Sequence, residues 1–341
     1  MTAETTESPA PGRTHGSAQD QDGQDWVDHV LAAFSGRRAD HVLAAWGLTS
    51  LLPGSTVHFV GTWKVPVIRL QGGPSRLAET AGNALVETTW DLERRALWSI
   101  TTTVPPRSAA NRMSTNAWKE SVQRGALVAA GVLQGVDMSA AAGSPGKKAD
   151  LPVRAADLTL LSGRSYTAKS VQDTWELLGA RTAEQAHSRA TTEIRRLLDG
   201  ETTLAQAKPG LRFSANQPTP RLTSGSEECD VLPLVDLLAF CGQLLLQPRQ
   251  HAVTGRPDRS EPEAANSSGK AFSWVLNPVP LDIEAVVAIH ESPPENLSWP
   301  RWTSQIRSTE GSAKISFLTY SRPEPSSTRT TPTATQGADR A

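Results

Sequence analysis

The chain has 341 residues, 38% of them hydrophobic, with 34 Lys and Arg against 35 Asp and Glu, and two cysteines. Such a chain is long enough for one large domain or two modest ones with a real core, and two cysteines are too few for a disulfide framework or a four-ligand zinc site. We find no apolar run near the roughly 18 residues of a membrane helix and no secretion signal in the polar, acidic N-terminus, so we expect a cytoplasmic protein that does not contact a membrane.

Composition divides the chain into segments. Residues 1–24 are acidic, and residues 321–341 are rich in Ser, Thr and Pro; both are typical of disorder. Between them we expect an N-terminal α+β domain over 25–137, a helical middle segment over 153–222 and a C-terminal α+β segment over 228–320. Helices and strands do not alternate regularly, so the fold class we predict is α+β, with mixed helices and antiparallel strands.

In the N-terminal segment, apolar residues at helical spacing follow Asp40, a candidate N-cap, and Pro53 with Gly54 ends that helix. Alternating apolar residues then predict strands at 57–61 and 65–70. Residues 84–90 and 96–103 resemble a β-hairpin. Apolar residues at helical spacing predict a helix over 116–134.

Three further helices are predicted. One follows Ser162 and Gly163 and runs through about Leu178, and its inner face carries Tyr166, Val171, Trp175 and Leu178. A second occupies 182–199, because Thr182 and the glutamine three residues later form a capping-box pattern. The third, VLPLVDLLAFCGQLLLQP, is apolar on nearly every side and should be buried. The stretches 272–290 and 313–323 are expected to supply strands.

Motifs of catalysis and of metal binding are not found. The seven histidines lie outside H-E-x-x-H, H-x-E and C-x-x-C contexts, and the chain lacks G-x-S-x-G, Walker-type and G-x-G-x-x-G loops. We therefore expect no enzyme, no metal and no cofactor. One alternative stays open: a hydrolase or transferase built on His41, His58 or the carboxylates at 227–230 would need a pocket where these groups converge.

The distribution of charge is compatible with a polyanionic partner. Residues 36–222 hold 23 Lys and Arg against 15 Asp and Glu. Within them, the stretch 105–124 combines basic residues, amides and an aromatic side chain, as needed to neutralise phosphates and to stack bases. Its candidate nucleic-acid-binding residues are Arg107, Arg112, Trp118, Lys119 and Arg124. The alternative is a solvated loop and helix face with Trp118 in the core.

A second candidate lies at a predicted helix start. Ser162 and Gly163 would leave backbone N–H groups free there, and Arg164 and Lys169 add positive charge, so a phosphate could bind. An ordinary capped helix start is the alternative. Of the ten tryptophans, we predict a core position for those in regular apolar patterns (Trp46, Trp63, Trp90, Trp98 and Trp175) and partial exposure for the two that flank Pro300-Arg301 (Trp299 and Trp302).

Several blocks, taken in order, resemble subunits of CRISPR–Cas type I effector (Cascade) complexes, specifically large-subunit-like proteins of the type I-G (formerly I-U) systems. The blocks are DHVLAAWGLTSLLPG (40–54), VHFVGTW with VPVIRL (57–70), LTLLSGRSYTAKSVQDTWELL (158–178), PLVDLLAFCGQLLLQP (233–248) and FSWVLNPVPLDIEAVVAIH (272–290). A departure occurs at 213–216, where Phe-Ser-Ala-Asn replaces the Trp-Asp-Pro expected in such proteins.

The resemblance implies a non-catalytic subunit of an RNA-guided antiviral complex. Such a subunit would contact crRNA or target DNA together with neighbouring subunits, and a separately recruited helicase-nuclease would cut the target. The family pattern assigns nucleic-acid binding to Ser162, Gly163 and Arg164. A protein–protein scaffold without nucleic-acid contact is the rival hypothesis, because the basic excess is modest.

Overall fold

The computed structural model describes residues 17–19, 25–90, 112–114, 134–136, 150–155, 167–208, 211, 213, 228–246, 271–294, 296–308 and 316–324. Within these residues the chain is α+β, as the sequence predicts, with helices and antiparallel sheets. Buried residues from Leu31 to Leu318 form one hydrophobic cluster, so all three predicted segments contribute to the same core. None of the described helices is long and apolar enough to cross a membrane.

The first sheet is antiparallel throughout, in the order β1-β2-β4-β3. Its strands are β1 (Ser17–Gln19), β2 (Asp25–Val30), β3 (Thr56–Val60) and β4 (Val65–Gln71). The two predicted strands, β3 and β4, are confirmed, and a four-residue turn at 61–64 connects them. β1 lies within the stretch whose composition predicts disorder, where it extends the sheet by pairing with β2.

Helix α1 (Ala39–Ser50) precedes β3 and is buried along almost its whole length. The predicted helix is confirmed, but the predicted cap is wrong. Arg38 occupies the N-cap position with extended backbone, and Asp40 lies in the first turn. There Asp40 accepts two hydrogen bonds from the Arg38 guanidinium, at 3.1 and 2.6 Å.

Helix α2 (Pro74–Thr89) overturns the predicted strand at 84–90. Valine, threonine and tryptophan favour strands locally. These residues nevertheless continue a helical pattern that begins earlier in the chain, with Leu77, Ala81 and Leu85 on its buried face. Pro74 starts the helix at a position where a missing N–H costs nothing. The predicted partner strand, 96–103, lies outside the described residues.

The next two helices follow the predictions. Helix α3 (Thr167–Leu177) buries Val171 and Trp175, and α4 (Ala183–Leu198) packs against α2. At the start of α4, the Thr182 hydroxyl accepts from the N–H of Gln185, so the predicted cap is confirmed. Gly200, with φ of 85°, follows the end of α4.

Helix α5 (Pro233–Leu245) is the predicted buried helix, and it crosses α1 with the two backbones in contact. A Cβ at Gly47 would lie 1.9 Å from the carbonyl oxygen of Leu238, and one at Gly242 would lie 2.1 Å from that of Leu43. Only glycine fits at either position. This crossing forms the centre of the core.

The second sheet has the order β10-β11-β12, with strands Ala271–Val275, Arg301–Ser308 and Ser316–Pro323. The strands predicted at the start of 272–290 and in 313–323 are confirmed. Residues 283–290 belong instead to helix α6 (Ile283–Glu291), whose N-cap Asp282 accepts from the Ala285 N–H. The apolar run IEAVVAI cannot by itself distinguish a strand from a buried helix, and the cap decides.

Five short strands complete the described structure. β5 (Arg112–Ser114), β6 (Gln134–Val136) and β7 (Asp150–Ala155) form one sheet, and β8 (Ala205–Ala207) pairs with β9 (Cys229–Val231). The predicted helix over 116–134 lies outside the described residues except for Gln134, which begins β6.

Candidate nucleic-acid interface

Most of the residues predicted to bind nucleic acid lie outside the described part of the chain. Those residues are Arg107, Trp118, Lys119, Arg124, Ser162, Gly163 and Arg164. Arg112 lies in β5, opposite Pro152 of β7, and Lys169 lies in the first turn of α3. The two candidate clusters therefore remain predictions.

The described residues contain another group with the chemistry expected of a nucleic-acid contact. Arg37 places its guanidinium carbon 4.7 Å from the ring centroid of Trp63 and 5.6 Å from that of Trp302. We call Arg37, Trp63 and Trp302 the tryptophan–arginine platform. It joins the loop before α1, the β3–β4 turn and the first residues of β11.

Hydrogen bonds fix the loop that carries Arg37 against the β3–β4 turn. The N–H of Gly36 donates to the Lys64 carbonyl at 2.7 Å, and the Ser35 hydroxyl donates to the Trp63 carbonyl at 3.0 Å. Arg37 itself donates to the Thr62 carbonyl at 2.8 Å. The platform is therefore held by backbone as well as side-chain contacts.

Gly36 makes this close approach sterically feasible. A Cβ at this position would lie 2.7 Å from the Lys64 carbonyl and 2.9 Å from the Phe59 ring. From below, the buried indole N–H of Trp274 donates to the Gly36 carbonyl at 2.8 Å. The loop therefore rests on the core, and the turn residues Gly61 and Lys64, both with positive φ, complete the tight reversal above it.

Trp63 is 66% exposed, so the prediction that it belongs to the core is wrong. It lies in the turn between two strands, where side chains have no sheet face to pack against. The sequence signal that could have revealed this is GTWK between two alternating apolar runs, since a tight connection there must project from the sheet. Large aromatic side chains are usually buried, and that expectation outweighed the turn position.

Other tryptophans follow the predictions more closely. Trp46 and Trp175 are fully buried, and Trp299 and Trp302 are partly exposed, as expected. Trp90, predicted in the core, is partly buried and packs edge-on against Trp175 at 5.8 Å between centroids. Trp98 lies outside the described residues.

Each platform residue has a basic neighbour in the chain. Lys64 follows Trp63 directly, Arg38 follows Arg37, and Arg301 precedes Trp302. Arg38 is paired with Asp40 at 2.6 Å, and Arg301 with Glu324 at 3.4 Å. In the part of the chain that the structure describes, Arg37 forms no ion pair and its Nε is buried without a hydrogen-bond partner.

His41 is buried beside the platform loop. Its Nδ1 accepts from the Ser35 N–H at 3.0 Å, and its ring stacks on Phe34 at 4.8 Å. Burial lowers the pKa of His41 to about 4, with the charge of Arg38 adding to the effect and Asp40 opposing it. Burial raises the pKa of Asp40, but His41 and the bidentate Arg38 outweigh it, so that pKa is lowered.

His58 lies on β3 in a separate environment. Across the first sheet, Arg69 donates to Asp28 at 2.7 and 3.0 Å, and that bond above all lowers the pKa of Asp28. Burial lowers the pKa of His58, while Asp28 opposes this shift and Arg69 adds to it. The neighbours of His58 thus differ from those of His41.

The described carboxylates of the acidic cluster at 227–230, Glu228 and Asp230, lie at β9. The Asp230 carboxylate accepts from the Gln206 amide across the β8–β9 pair, and Glu228 is exposed. Among the described residues, no three His, Cys, Asp or Glu side chains lie close enough to hold a metal ion. Cys241 is buried in α5, and burial raises the pKa of its thiol to about 12, as expected for an inert cysteine.

No protein-family model, curated protein or solved structure matches this chain.

Proposed function

We propose that this chain is a non-catalytic, cytoplasmic subunit of a CRISPR RNA-guided effector complex, and that it binds crRNA or target DNA together with neighbouring subunits. In this proposal, strand cleavage belongs to a helicase-nuclease recruited separately. The order of blocks that resemble type I-G large-subunit-like proteins supports the assembly role. The nucleic-acid contact is supported by the chemistry of the described surface.

The observation that carries the nucleic-acid role is the exposure of Trp63 on the stacked Arg37 guanidinium, 4.7 Å from the ring centroid. Single-stranded nucleic acids are bound by combining positive charge with aromatic surfaces that stack bases. An arginine that forms no ion pair among the described residues, next to an exposed indole, supplies both elements. The basic residues at 105–124 and 162–169, if they contact the same strand, would supply phosphate neutralisation.

A protein–protein scaffold is the second candidate, and a specific observation favours it. Val30 and Val60 of the first sheet are 46% and 38% exposed, as is Val279, at 46%, in the segment that pairs with β3. Tryptophan and arginine are also the residues most enriched among interface hot spots. On this hypothesis the platform would bind a protein surface rather than a nucleotide.

Salt dependence distinguishes the two candidates. The full chain is titrated with a fluorescein-labelled single-stranded RNA, and the affinity is followed by anisotropy over a series of salt concentrations. Phosphate contacts release counterions, so the logarithm of the affinity should fall linearly with the logarithm of the salt concentration. Absence of RNA and DNA binding at low salt, with a stable folded chain, would contradict the nucleic-acid role and favour the scaffold.

A further inference from the structure

We propose that the tryptophan–arginine platform is a stacking site for one unpaired base of single-stranded nucleic acid, with Trp63 as the stacking surface. This inference rests on the proposed nucleic-acid role and assigns it to residues that neither the basic stretches nor the family resemblance indicated. It also identifies the form of the ligand, since a base inside a duplex cannot present its face to a side chain.

The Trp63 indole combines a cation contact with high exposure. Arg37 stacks on one face of Trp63, at 4.7 Å, and yet 66% of the Trp63 surface is exposed. The contact with Arg37 therefore leaves most of the indole open to solvent. A flat, apolar face of this size, backed by a cation, is a suitable surface for a planar base.

Hydrogen bonds hold the platform in place before any ligand binds. Three hydrogen bonds hold the loop and turn together: Gly36 N–H to the Lys64 carbonyl, Ser35 Oγ to the Trp63 carbonyl, and Arg37 to the Thr62 carbonyl. A fourth, from Trp274 Nε1 to the Gly36 carbonyl, fixes the loop to the core. Arg37 is further confined between two indoles, because Trp302 lies 5.6 Å away on another sheet. A ligand that stacks on Trp63 consequently does not have to order the platform first, which favours affinity.

Lys64 adds a positive charge directly after Trp63 in the chain. Lys64, next to Trp63, forms no ion pair among the described residues, and its main chain is fixed by the bond from Gly36. Its ammonium group is thus available to a phosphate that flanks the stacked base. Two neighbouring cations, Arg38 and Arg301, are engaged with Asp40 and Glu324 and are less available.

One atom of the half-buried Arg37 guanidinium is enclosed by the platform. Among the described residues the buried Nε of Arg37 has no hydrogen-bond partner, which is costly for a charged group in a folded protein. The two indole faces compensate for part of that cost through cation–π attraction. In this proposal, the contact with Arg37 orients the Trp63 ring for the ligand, which gives this position of the arginine a function.

Photocrosslinking tests the site directly. The full chain is mixed with single-stranded RNA that carries 5-iodouridine, irradiated, digested and sequenced by mass spectrometry. We expect a crosslink at Trp63 and none at Trp46, which lies in the same tryptic peptide but is 1% exposed. A crosslink confined to other residues would overturn the proposal.

Affinity measurements give a second readout. Trp63→Leu keeps an apolar side chain but removes the stacking surface, and it should weaken binding of labelled single-stranded RNA on the order of 5- to 150-fold. Trp63→Phe should weaken it less, and the salt slope should be unchanged in both. Lys64→Ala should lower the slope by about one. Leu204→Ala, at another exposed apolar residue, and Arg181→Ala, at an exposed basic one, are the matched controls and should bind as wild type.

The outcomes separate this inference from the proposed function. Wild-type binding that Trp63→Leu leaves unchanged would overturn the stacking site while retaining the nucleic-acid role. Failure of the folded wild type to bind any single strand would overturn both. If Trp63→Leu retains RNA binding but loses a co-purifying protein subunit, the platform is a protein contact, and the stacking proposal is wrong.

Discussion

The substitution Gly47→Ala tests the packing that organises the whole fold. Gly47 lies in the middle of α1, where this helix meets α5, and a Cβ there would lie 1.9 Å from the Leu238 carbonyl oxygen. Ordinary contact begins at 3.4 Å, so the two helices would have to separate by about 1.5 Å. The obstructing atom belongs to the backbone of a buried helix, so a change of rotamer cannot relieve the clash.

The expected loss of stability follows from two opposing effects. Overpacking a well-filled core costs about 1–3 kcal/mol and occasionally more, and a clash with backbone belongs at the upper end or beyond it. Alanine favours a helix over glycine by about 1 kcal/mol. We therefore expect Gly47→Ala to lower the free energy of unfolding by at least about 2 kcal/mol.

Urea denaturation followed by far-UV circular dichroism measures this loss. Gly73→Ala is the matched control, because Gly73 has negative φ and no atom lies within 4 Å of its added Cβ. The control should stay within about 1 kcal/mol of wild type. If Gly47→Ala proves as stable as Gly73→Ala, helices α1 and α5 do not cross as described and the account of the core is wrong.

Three further predictions concern separate parts of the chain. Burial and the nearby Arg301 lower the pKa of His290 to about 4 from 6.5, so the protein should be most stable above pH 6.5 and lose free energy of unfolding as the pH falls towards 4. His290→Phe should remove up to about 3 kcal/mol of this loss, measured as the difference between urea titrations at pH 7 and pH 4.5. Thr89→Val leaves the buried indole N–H of Trp175, now 3.1 Å from the Thr89 hydroxyl, without an acceptor and should cost about 1–3 kcal/mol in the same assay; an unchanged midpoint would contradict that bond. Arg164→Ala should weaken RNA binding and lower the salt slope by about one, and an unchanged slope and affinity would count against the predicted phosphate site.

The parts of the fold that could be predicted from the sequence are those where several local signals agree. Helix α5 is apolar on almost every side and is bounded by proline, and it proved to be buried except for its last two residues. Helix α4 combines an amphipathic pattern with a Thr182 cap and a terminal glycine, and all three features are present in the structure. Agreement between patterning, capping and termination is what makes such segments predictable.

The errors arose where a local preference was outweighed by a longer pattern or by position. Residues 84–90 have strand-forming side chains, but the helix that contains them begins at Pro74 and is held by its packing against α4. Residues 283–290 have the same ambiguity, which the Asp282 cap resolves. Local composition cannot show which neighbour a segment will pack against, and for residues 84–90 that neighbour, helix α4, was decisive.

The platform escaped prediction for a different reason. Arg37, Trp63 and Trp302 are separated by 26 and 239 residues in the chain and meet only because the loop, the turn and the second sheet converge. Gly36 gave no sign of its importance, since its value lies in a contact with Lys64 across the fold. Sites assembled from distant segments leave no local motif for sequence reasoning to find.

The most direct measurement of the central claim is the co-purification of the tagged full chain from a host that expresses its neighbouring genes, with sequencing of any bound RNA. The proposal predicts short RNAs flanked by repeat sequence, together with other subunits of an effector complex. It also predicts that the Trp63→Leu chain retains those subunits while it holds the RNA less firmly as the salt concentration is raised. Recovery of folded chain with neither RNA nor such subunits would contradict the proposed function.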